Sequence, residues 1–183
     1  MKPVAVLYAT REGQTRKIAE RTVLYLHECG YESETIDVRA PDVLNLIDLN
    51  AYSGAIVAAS VHAGEHEHEM IKFVKAHVRD LDRMPNCFLS VTLSQASVEM
   101  ENKSQEDREK ATAAVKQVMD TFFGETGWTP KQAHGVAGAL LYTRYNPLIR
   151  FVMRRIAKNS GGATDTSRDY EYTDWAALKR IVE

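Results

Sequence analysis

The chain has 183 residues, with 23 Lys and Arg against 25 Asp and Glu, and a formal net charge of -2 at pH 7. This length suits one domain with a full hydrophobic core, and the near-neutral charge gives no reason to expect a nucleic-acid partner. Apolar runs stay far below the roughly 18 residues of a spanning helix, and the first residues lack the pattern of a signal peptide. We therefore expect a single cytoplasmic domain over residues 1–183 that meets any membrane only peripherally.

The two cysteines of the chain, Cys29 and Cys87, lie far apart, and each falls inside an apolar element. This spacing favours free, reduced thiols over a disulfide. We expect both thiols to be buried and structural.

Strands and helices are predicted to alternate from the first residues. A nearly continuous apolar run, PVAVLYA, is typical of a strand buried on both faces of a parallel sheet. The predicted elements of the first half are a strand at 3–9, a helix from Gln14 to Cys29 that stops at Gly30, a partly exposed strand at 31–38, a short helix within 41–50, and a buried central strand at Ala55–Ser60.

The second half repeats this alternation and completes five strands. Its predicted elements are a helix at Met70–Val78, a strand at Cys87–Leu93, a helix at Ala111–Phe123 and a strand at Gly135–Leu141. Such a pattern predicts an α/β fold with a doubly wound parallel sheet, which binds ligands at the carboxyl ends of its strands. The loops of interest are therefore Thr10–Thr15, Ser60–Gly64 and Leu93–Ser97.

The first of these loops, Thr10–Thr15, is polar and opens a helix. Its pattern Thr-x-x-Gly-x-Thr lacks the glycines of nucleotide and dinucleotide loops, and Ala59-Ser60 replaces the aspartate that a phosphoreceiver domain needs. Two hydroxyls and the free N–H groups of a helix N-terminus suit a phosphate monoester. An ordinary threonine helix cap with a solvated loop is the alternative.

The same loop resembles the phosphate loop of flavodoxins. Four stretches in order, YATREGQTRKIA, MPNCFLSVTL, GALLYTRYN and SGGATDTSRDYEYTDW, resemble the bacterial flavodoxin-type, menaquinone-dependent protoporphyrinogen dehydrogenases over nearly the whole chain. The segments Ser160–Thr166 and Tyr172–Trp175 carry the narrowest part of this resemblance. It implies a flavodoxin-like five-stranded sheet in the order 2-1-3-4-5 and FMN as cofactor.

By this resemblance, three loops hold the flavin. The residues implied for the phosphate are Thr10, Arg11, Glu12, Gly13, Gln14 and Thr15. Those implied around the ring are Ser60, Val61, His62, Ala63 and Gly64 in the second loop, which starts at Ala59, and Thr92, Leu93, Ser94 and Gln95 in the third. Flavodoxins usually stack an aromatic side chain on the ring, whereas these loops and the polar stretch Gln95–Gln105 offer none. We expect one face of the flavin to be open to a substrate.

A basic insert at about 142–172 follows the fifth strand. Pro147 can begin a helix and Gly161 can end it, and no acidic residue lies between Leu140 and Ala163. An amphipathic helix of this kind can lie on an anionic membrane, form a substrate wall or pack on the core. The implied contacts with substrate propionates are Arg144, Arg150 and Arg154, while Arg11 suits either the phosphate or a propionate.

The histidine-rich stretch VHAGEHEHEM, which holds His62, His66 and His68, does not have the spacing of a helical zinc motif. We expect no metal, and interpret the stretch as a polar loop leading into an exposed helix start, with His62 near the flavin. A closing helix is predicted after a cap at Thr173 or Asp174, with Trp175, Leu178 and Ile181 facing inward.

The resemblance implies oxidation of protoporphyrinogen IX to protoporphyrin IX in heme biosynthesis, with a quinone such as menaquinone as acceptor. The flavin carries the chemistry, and no residue stands out as an obligatory acid or base. Two alternatives remain open: an electron-carrier flavodoxin without a small substrate, and a general quinone reductase. The near-neutral charge and the basic insert argue against a carrier, and no pattern indicates an oligomeric state.

Overall fold

The computed structural model describes residues 2–159 and 161–183, so Ser160 of the C-terminal motif lies outside the described residues. A 3-10 turn at Leu49–Ala51 accompanies the regular elements. These are, in chain order, β1 (Val4–Ala9), α1 (Gln14–Glu28), β2 (Ser33–Asp37), α2 (Val43–Leu46), β3 (Gly54–His62), β4 (Glu65–His66), α3 (His68–Asp82), β5 (Asn86–Thr92), α4 (Leu93–Glu99), α5 (Gln105–Thr126), β6 (Gln132–Ala137), β7 (Ala139–Leu140), α6 (Pro147–Asn159), β8 (Tyr170–Glu171) and α7 (Trp175–Val182).

The central sheet runs in the order β2-β1-β3-β5-β6, with all neighbours parallel. The predicted fold class is confirmed, since β5 and β6 are the fourth and fifth strands of the 2-1-3-4-5 order. Register pairs Ala9 with Ala59 and Thr92 with Ala137, so these strands end at one edge of the sheet. The three predicted loops start from that edge.

Two hydrophobic layers cover the two faces of the sheet. Successive side chains of a strand point to opposite faces, so Leu7 packs with residues of α3 and α5, and Val6 packs with residues of α1 and α7. In α7, Leu178 is buried, and Trp175 and Ile181 pack against the same layer, as predicted. Of the two predicted caps, the side chain of Asp174 accepts the hydrogen bond from the α7 backbone.

The predicted fifth strand, Gly135–Leu141, is wrong in extent. The sheet strand β6 ends at Ala137, and β7 leaves the sheet to pair antiparallel with β8, which follows the insert in sequence. The backbone N–H of Tyr172 donates to the carbonyl of Gly138, so the returning chain takes over the hydrogen bonding at this point. The insert is thereby closed at its base by a two-stranded sheet.

The stretch Gln95–Gln105, expected to be a polar excursion, is partly helical. Helix α4 begins directly after β5, where the side chain of Thr92 accepts a hydrogen bond from the N–H of Ser94. Helix α5 is also longer than predicted, because polar residues outside the apolar stripe form exposed ion pairs one turn apart, such as Lys110 with Glu106.

The prediction of two buried thiols is wrong for Cys29, which is exposed. Cys29 is the C-terminal cap of α1, where the helix ends, so the apolar stripe no longer carries it against the sheet. Cys87 lies in β5 and is partly buried, and this burial raises the pKa of its thiol to about 12. The Cys87 thiol therefore stays protonated and unreactive at neutral pH.

The histidine-rich stretch is not a polar loop. Strand β3 continues to His62, and Ala63 and Gly64, with φ of 52° and 87°, reverse the chain into β4. The interpretation as an exposed helix start is therefore wrong for His66 and Glu67, both of which the hairpin places in the interior. A left-handed turn of two residues matches the twist of a hairpin, which explains why β4 folds back here.

His66 is a core side chain. Its ring lies 5.2 Å from Phe88 and 5.0 Å from Phe122, and its Nε2 lies 2.9 Å from the hydroxyl of Ser90. Burial lowers the pKa of His66 to about 4, although the nearby Glu67 carboxylate acts in the opposite direction. The imidazole is neutral in the folded chain at pH 7.

We predict that this neutral histidine makes stability depend on pH. The pKa of His66 is lower in the folded chain than in the unfolded chain, so between these two values only the unfolded chain binds the proton. The free energy of unfolding is therefore highest above pH 6.5 and falls toward pH 4. When the pH is lowered from 7 to 5, the free energy of unfolding should fall by about 2 kcal/mol more in the wild-type chain than in His66→Gln. Urea denaturation at the two pH values measures this difference. His68→Gln, at an exposed position, should follow the wild type. Equal losses in His66→Gln and wild type would contradict the assignment.

Candidate functional site

A cleft of about 450 Å³ lies at the carboxyl ends of β1, β3 and β5. Its volume is in the range of small-molecule sites, and its position is the one expected for a doubly wound sheet. The predicted cofactor residues that line it are Thr10, Arg11, Glu12, Gln14, Thr15, Ser60, Val61, His62, Ala63, Gly64, Thr92 and Leu93.

Three predicted cofactor residues do not line this cleft. Gly13 lines the neighbouring pocket, together with Lys17 and Arg144. Ser94 lines a smaller apolar pocket beside α6, and the side-chain amide of Gln95 donates to Glu99 within α4. The reason is the early start of α4, which turns both side chains away from the sheet edge.

The Thr10–Thr15 loop is shaped as an anion cradle. Gly13 has φ of 101°, and its N–H donates to the hydroxyl of Thr10 at 3.0 Å. Within the described chain, α1 has no side-chain cap and no acidic residue in its first turn. The first N–H groups of α1 are thus free for a ligand, and the helix dipole favours a negative one.

Thr15 supplies the test of whether a phosphate fits. Its hydroxyl is fully buried, and no residue among 2–159 and 161–183 gives it a hydrogen bond. Buried hydroxyls are normally paired, so this atom has an unfilled partner in the cradle. The alternative of a threonine cap is wrong, because the capping position of α1 is Gly13. The residues present fit the phosphate monoester of a flavin mononucleotide.

Glu67 is a buried carboxylate that contacts three residues lining the cleft, and its side chain is only 1% exposed. The β3–β4 hairpin brings it there, since the N–H of Glu67 donates to the carbonyl of Ser60. Its oxygens receive hydrogen bonds from the Ser60 hydroxyl at 3.0 Å and from Nε of Arg11 at 3.1 Å. Arg11 is therefore committed to Glu67 on one side, while its side chain remains 61% exposed.

His62 lies between two carboxylates at the edge of the cleft. Its Nε2 is 3.1 Å from Glu67 and 3.2 Å from Glu12, without hydrogen-bond alignment to either. Burial alone raises the pKa of Glu67, but His62, Arg11 and Ser60 together outweigh it and hold the pKa below its usual value. The cluster ties the phosphate loop to the hairpin at neutral pH.

No group of three His, Cys, Asp or Glu side chains in the described part of the chain is arranged to hold a metal ion. The three histidines of the stretch separate in space instead. His66 is in the core, His68 is exposed on α3, and His62 borders the cleft.

The insert supplies an apolar wall that the loop patterns did not predict. Tyr145 is its aromatic member, and burial raises the pKa of the phenol to about 12, so that the ring stays uncharged. The other members of this wall are Leu141, Ile149, Met153 and Ile156. The spacing of Ile149, Met153 and Ile156 along one face of the predicted helix was the available signal. The expected open flavin face thus has an aromatic side chain nearby, contributed by the insert.

The three arginines predicted to meet propionates lie elsewhere. Arg150 donates to the backbone carbonyls of Tyr142 and Tyr145, and Arg144 donates to the carbonyl of Glu12. Arg154 is exposed, and neither it nor Arg150 lines the cleft. The physical reason is that α6 turns Ile149, Met153 and Ile156 to the cleft, which leaves its cations on other faces.

The C-terminal motif braces the insert against the phosphate-loop helix. Gln14 donates to Glu171 at 2.8 Å and to the hydroxyl of Thr173 at 2.9 Å, and Lys17 pairs with Glu171 at 2.7 Å. Thr173 in turn donates to the carbonyl of Ala137 at the end of β6. The narrowest signature of the sequence therefore has a structural role beside the cleft.

Comparisons with known proteins identify a family and relatives of this chain. Residues 5–167 match the family model described as a flavodoxin domain. The chain is 32% identical to protoporphyrinogen IX dehydrogenase (quinone) of Escherichia coli K12, over 97% of this chain and 91% of that one. It is 31% identical to the Leishmania major protein of the same name, over 97% of this chain and 71% of that one. Oxidised flavodoxin 2 from Bacillus cereus aligns with a TM-score of 0.46 at 16% identity, covering 74% of this chain and 84% of that one.

We predict that Thr15→Val weakens FMN binding by about 1–3 kcal/mol, because a ligand oxygen loses its donor. The apo chain should be as stable as the wild type or slightly more so, since the lost hydroxyl has no partner in the protein. Flavin fluorescence titration and urea denaturation measure the two effects.

Thr22→Val is the matched control. Thr22 is also on α1, fully buried and without a hydrogen-bond partner in the described chain, yet it does not line the cleft. It should repeat the effect of Thr15→Val on apo stability and leave FMN affinity unchanged. Unchanged FMN affinity in Thr15→Val would move the phosphate to another place.

Proposed function

We infer the function of this chain from two findings: it belongs to the flavodoxin domain family, and it has relatives named protoporphyrinogen IX dehydrogenase (quinone). In this proposal the chain oxidises protoporphyrinogen IX to protoporphyrin IX. A quinone, menaquinone in our proposal, accepts the reducing equivalents. The single observation that carries the proposal is the cleft in which a phosphate cradle and an apolar wall meet at one sheet edge.

The polar end of the cleft suits the cofactor. FMN, when bound, supplies the hydride-accepting chemistry that no side chain of this chain can supply. Thr10, Thr15 and the first N–H groups of α1 would hold its phosphate. The hairpin at Val61–Gly64 and the segment Thr92–Leu93 border the space next to that cradle, where the ring would lie.

The apolar end suits a large, flat substrate. Tyr145, Ile149 and Met153 present an uncharged surface against which a tetrapyrrole can pack and from which water is displaced. The wall belongs to the insert, so the insert in our proposal distinguishes a porphyrinogen dehydrogenase from a carrier that needs no substrate site.

Arg11 is the cation of the described chain that lines the cleft. Its Nε is used by Glu67, and the rest of the planar guanidinium is free to pair with a propionate. We therefore transfer the propionate contact from Arg150 and Arg154 to Arg11, while Glu67 fixes the direction of its side chain.

We predict that the FMN-loaded chain is reduced by protoporphyrinogen IX under anaerobic conditions and reoxidised by menaquinone, which the flavin absorbance reports. Arg11→Gln should raise KM for the porphyrinogen about tenfold with kcat little changed, because an exposed, charge-assisted contact is lost. Arg39→Gln, on the same rim but paired with Asp37, is the control. Formation of no protoporphyrin above the rate without enzyme would leave the electron carrier or a general quinone reductase as the function.

Peripheral membrane contact is part of the proposal, since quinones reside in the bilayer. Among the described residues, no helix is long and apolar enough to cross a membrane. Helix α6, however, exposes Leu148, Phe151 and Val152 by 73%, 64% and 45%, beside a row of cations. Apolar side chains next to cations are suited to an anionic lipid surface. In this proposal the protein is cytoplasmic and docks on the inner face of the cell membrane.

We predict that neutralising Arg154, Arg155 and Lys158 to glutamine weakens binding to anionic vesicles by about 1 kcal/mol per charge. FMN should stay bound, because none of the three lines the cleft. Neutralising Arg108, Lys110 and Lys116 on α5 is the charge-matched control. Vesicle sedimentation at low and high salt measures the effect, and a wild-type chain that never sediments would contradict the membrane contact.

A further inference from the structure

Arg144 lies on the outer rim of the phosphate loop. Its Nη1 donates to the carbonyl of Glu12, and a Cβ added to Gly13 would lie 2.7 Å from the same nitrogen. The guanidinium thus packs directly on the glycine that shapes the cradle. Arg144 comes from the turn between β7 and α6, so the insert, and not the loop itself, provides this charge.

The other cations on this rim already have carboxylate partners. Arg11 pairs with Glu67, Arg16 with Glu20, Lys17 with Glu171 and Arg39 with Asp37. Within residues 2–159 and 161–183, Arg144 has no such partner, and its one hydrogen bond leaves most of its N–H donors unused. An unpaired guanidinium therefore contacts the loop whose last residue, Thr15, has a buried hydroxyl without a partner in the described chain.

We propose that Arg144 binds the phosphate of FMN, and does not bind a substrate propionate. The helix dipole provides about half a unit of positive charge, which is too little to balance a phosphate dianion. Arg144 supplies the missing charge from the rim. The inference rests on the flavin-binding part of the proposed function and is independent of the substrate.

The contact also connects the cofactor to the substrate wall. Arg144 is next in sequence to Tyr145, and Arg150 binds the carbonyls of Tyr142 and Tyr145. A guanidinium fixed by phosphate therefore fixes the turn that carries the aromatic side chain of the cleft. Cofactor binding through the phosphate should order residues 141–146.

The test compares FMN with riboflavin, which lacks the phosphate, by fluorescence titration of the apo chain. Arg144→Gln should raise the Kd of FMN about 10- to 100-fold and that of riboflavin by less than about twofold. Arg144→Lys should lie between wild type and Arg144→Gln. Arg16→Gln, on the same rim but paired with Glu20, should leave both affinities unchanged.

Inorganic phosphate gives a second readout if riboflavin binds too weakly to titrate. Phosphate should raise the Tm of the apo wild type and of Arg16→Gln, and should have a clearly smaller effect on Arg144→Gln. Amide hydrogen exchange in 141–146 should slow with FMN in the wild type and not in Arg144→Gln.

Three results would overturn the inference: FMN affinity of Arg144→Gln within about twofold of wild type, an equal loss for FMN and riboflavin, or a raised KM for the porphyrinogen with normal FMN affinity. The titrations contain no substrate, so they can contradict the role of Arg144 while the dehydrogenase activity of the wild-type chain is normal. A wild-type chain that binds no FMN would instead contradict the proposed function.

Discussion

The free N–H groups at the start of α1 are the constraint on which the site depends. A parallel strand that ends at the sheet edge must turn back into a helix, and here the turn is made by Gly13 without a side-chain cap. The donors of that first turn and the buried hydroxyl of Thr15 are available to an anion. The residue after the hairpin, Glu67, and the insert, through Arg144, both contact this loop.

A buried carboxylate holds the parts of the site in register. Glu67 accepts hydrogen bonds from Arg11 of the Thr10–Thr15 loop and from Ser60 of β3, and it lies 3.1 Å from His62 at the end of β3. A buried charge is costly unless several donors surround it. Moving the loop or β3 away from Glu67 would remove one of its partners, so this carboxylate holds the two elements together. The insert is added to this frame through β8 and through the contact of Arg144 with the loop.

The sequence predicted the sheet well because its strands are long apolar runs followed by clear turns. It also placed the loop Thr10–Thr15 at the cleft, where five of its six residues lie, and its binding of a phosphate stays a prediction. It failed where a long-range partner decides the structure: β7 leaves the sheet to pair with β8, and β4 exists because two residues adopt a left-handed turn. The same limit explains the arginines, since periodicity describes the faces of α6 but cannot say which face meets the cleft.

We propose that the cradle holds the phosphate of FMN as a dianion away from water. Phosphorus-31 NMR of the FMN-loaded chain tests it most directly, because a free phosphate monoester changes charge near pH 6. We expect a resonance whose chemical shift is constant from pH 5.5 to pH 8, since the first N–H groups of α1, Thr15 and, in our proposal, Arg144 favour the dianion. A bound phosphate that titrates like that of free FMN would contradict it.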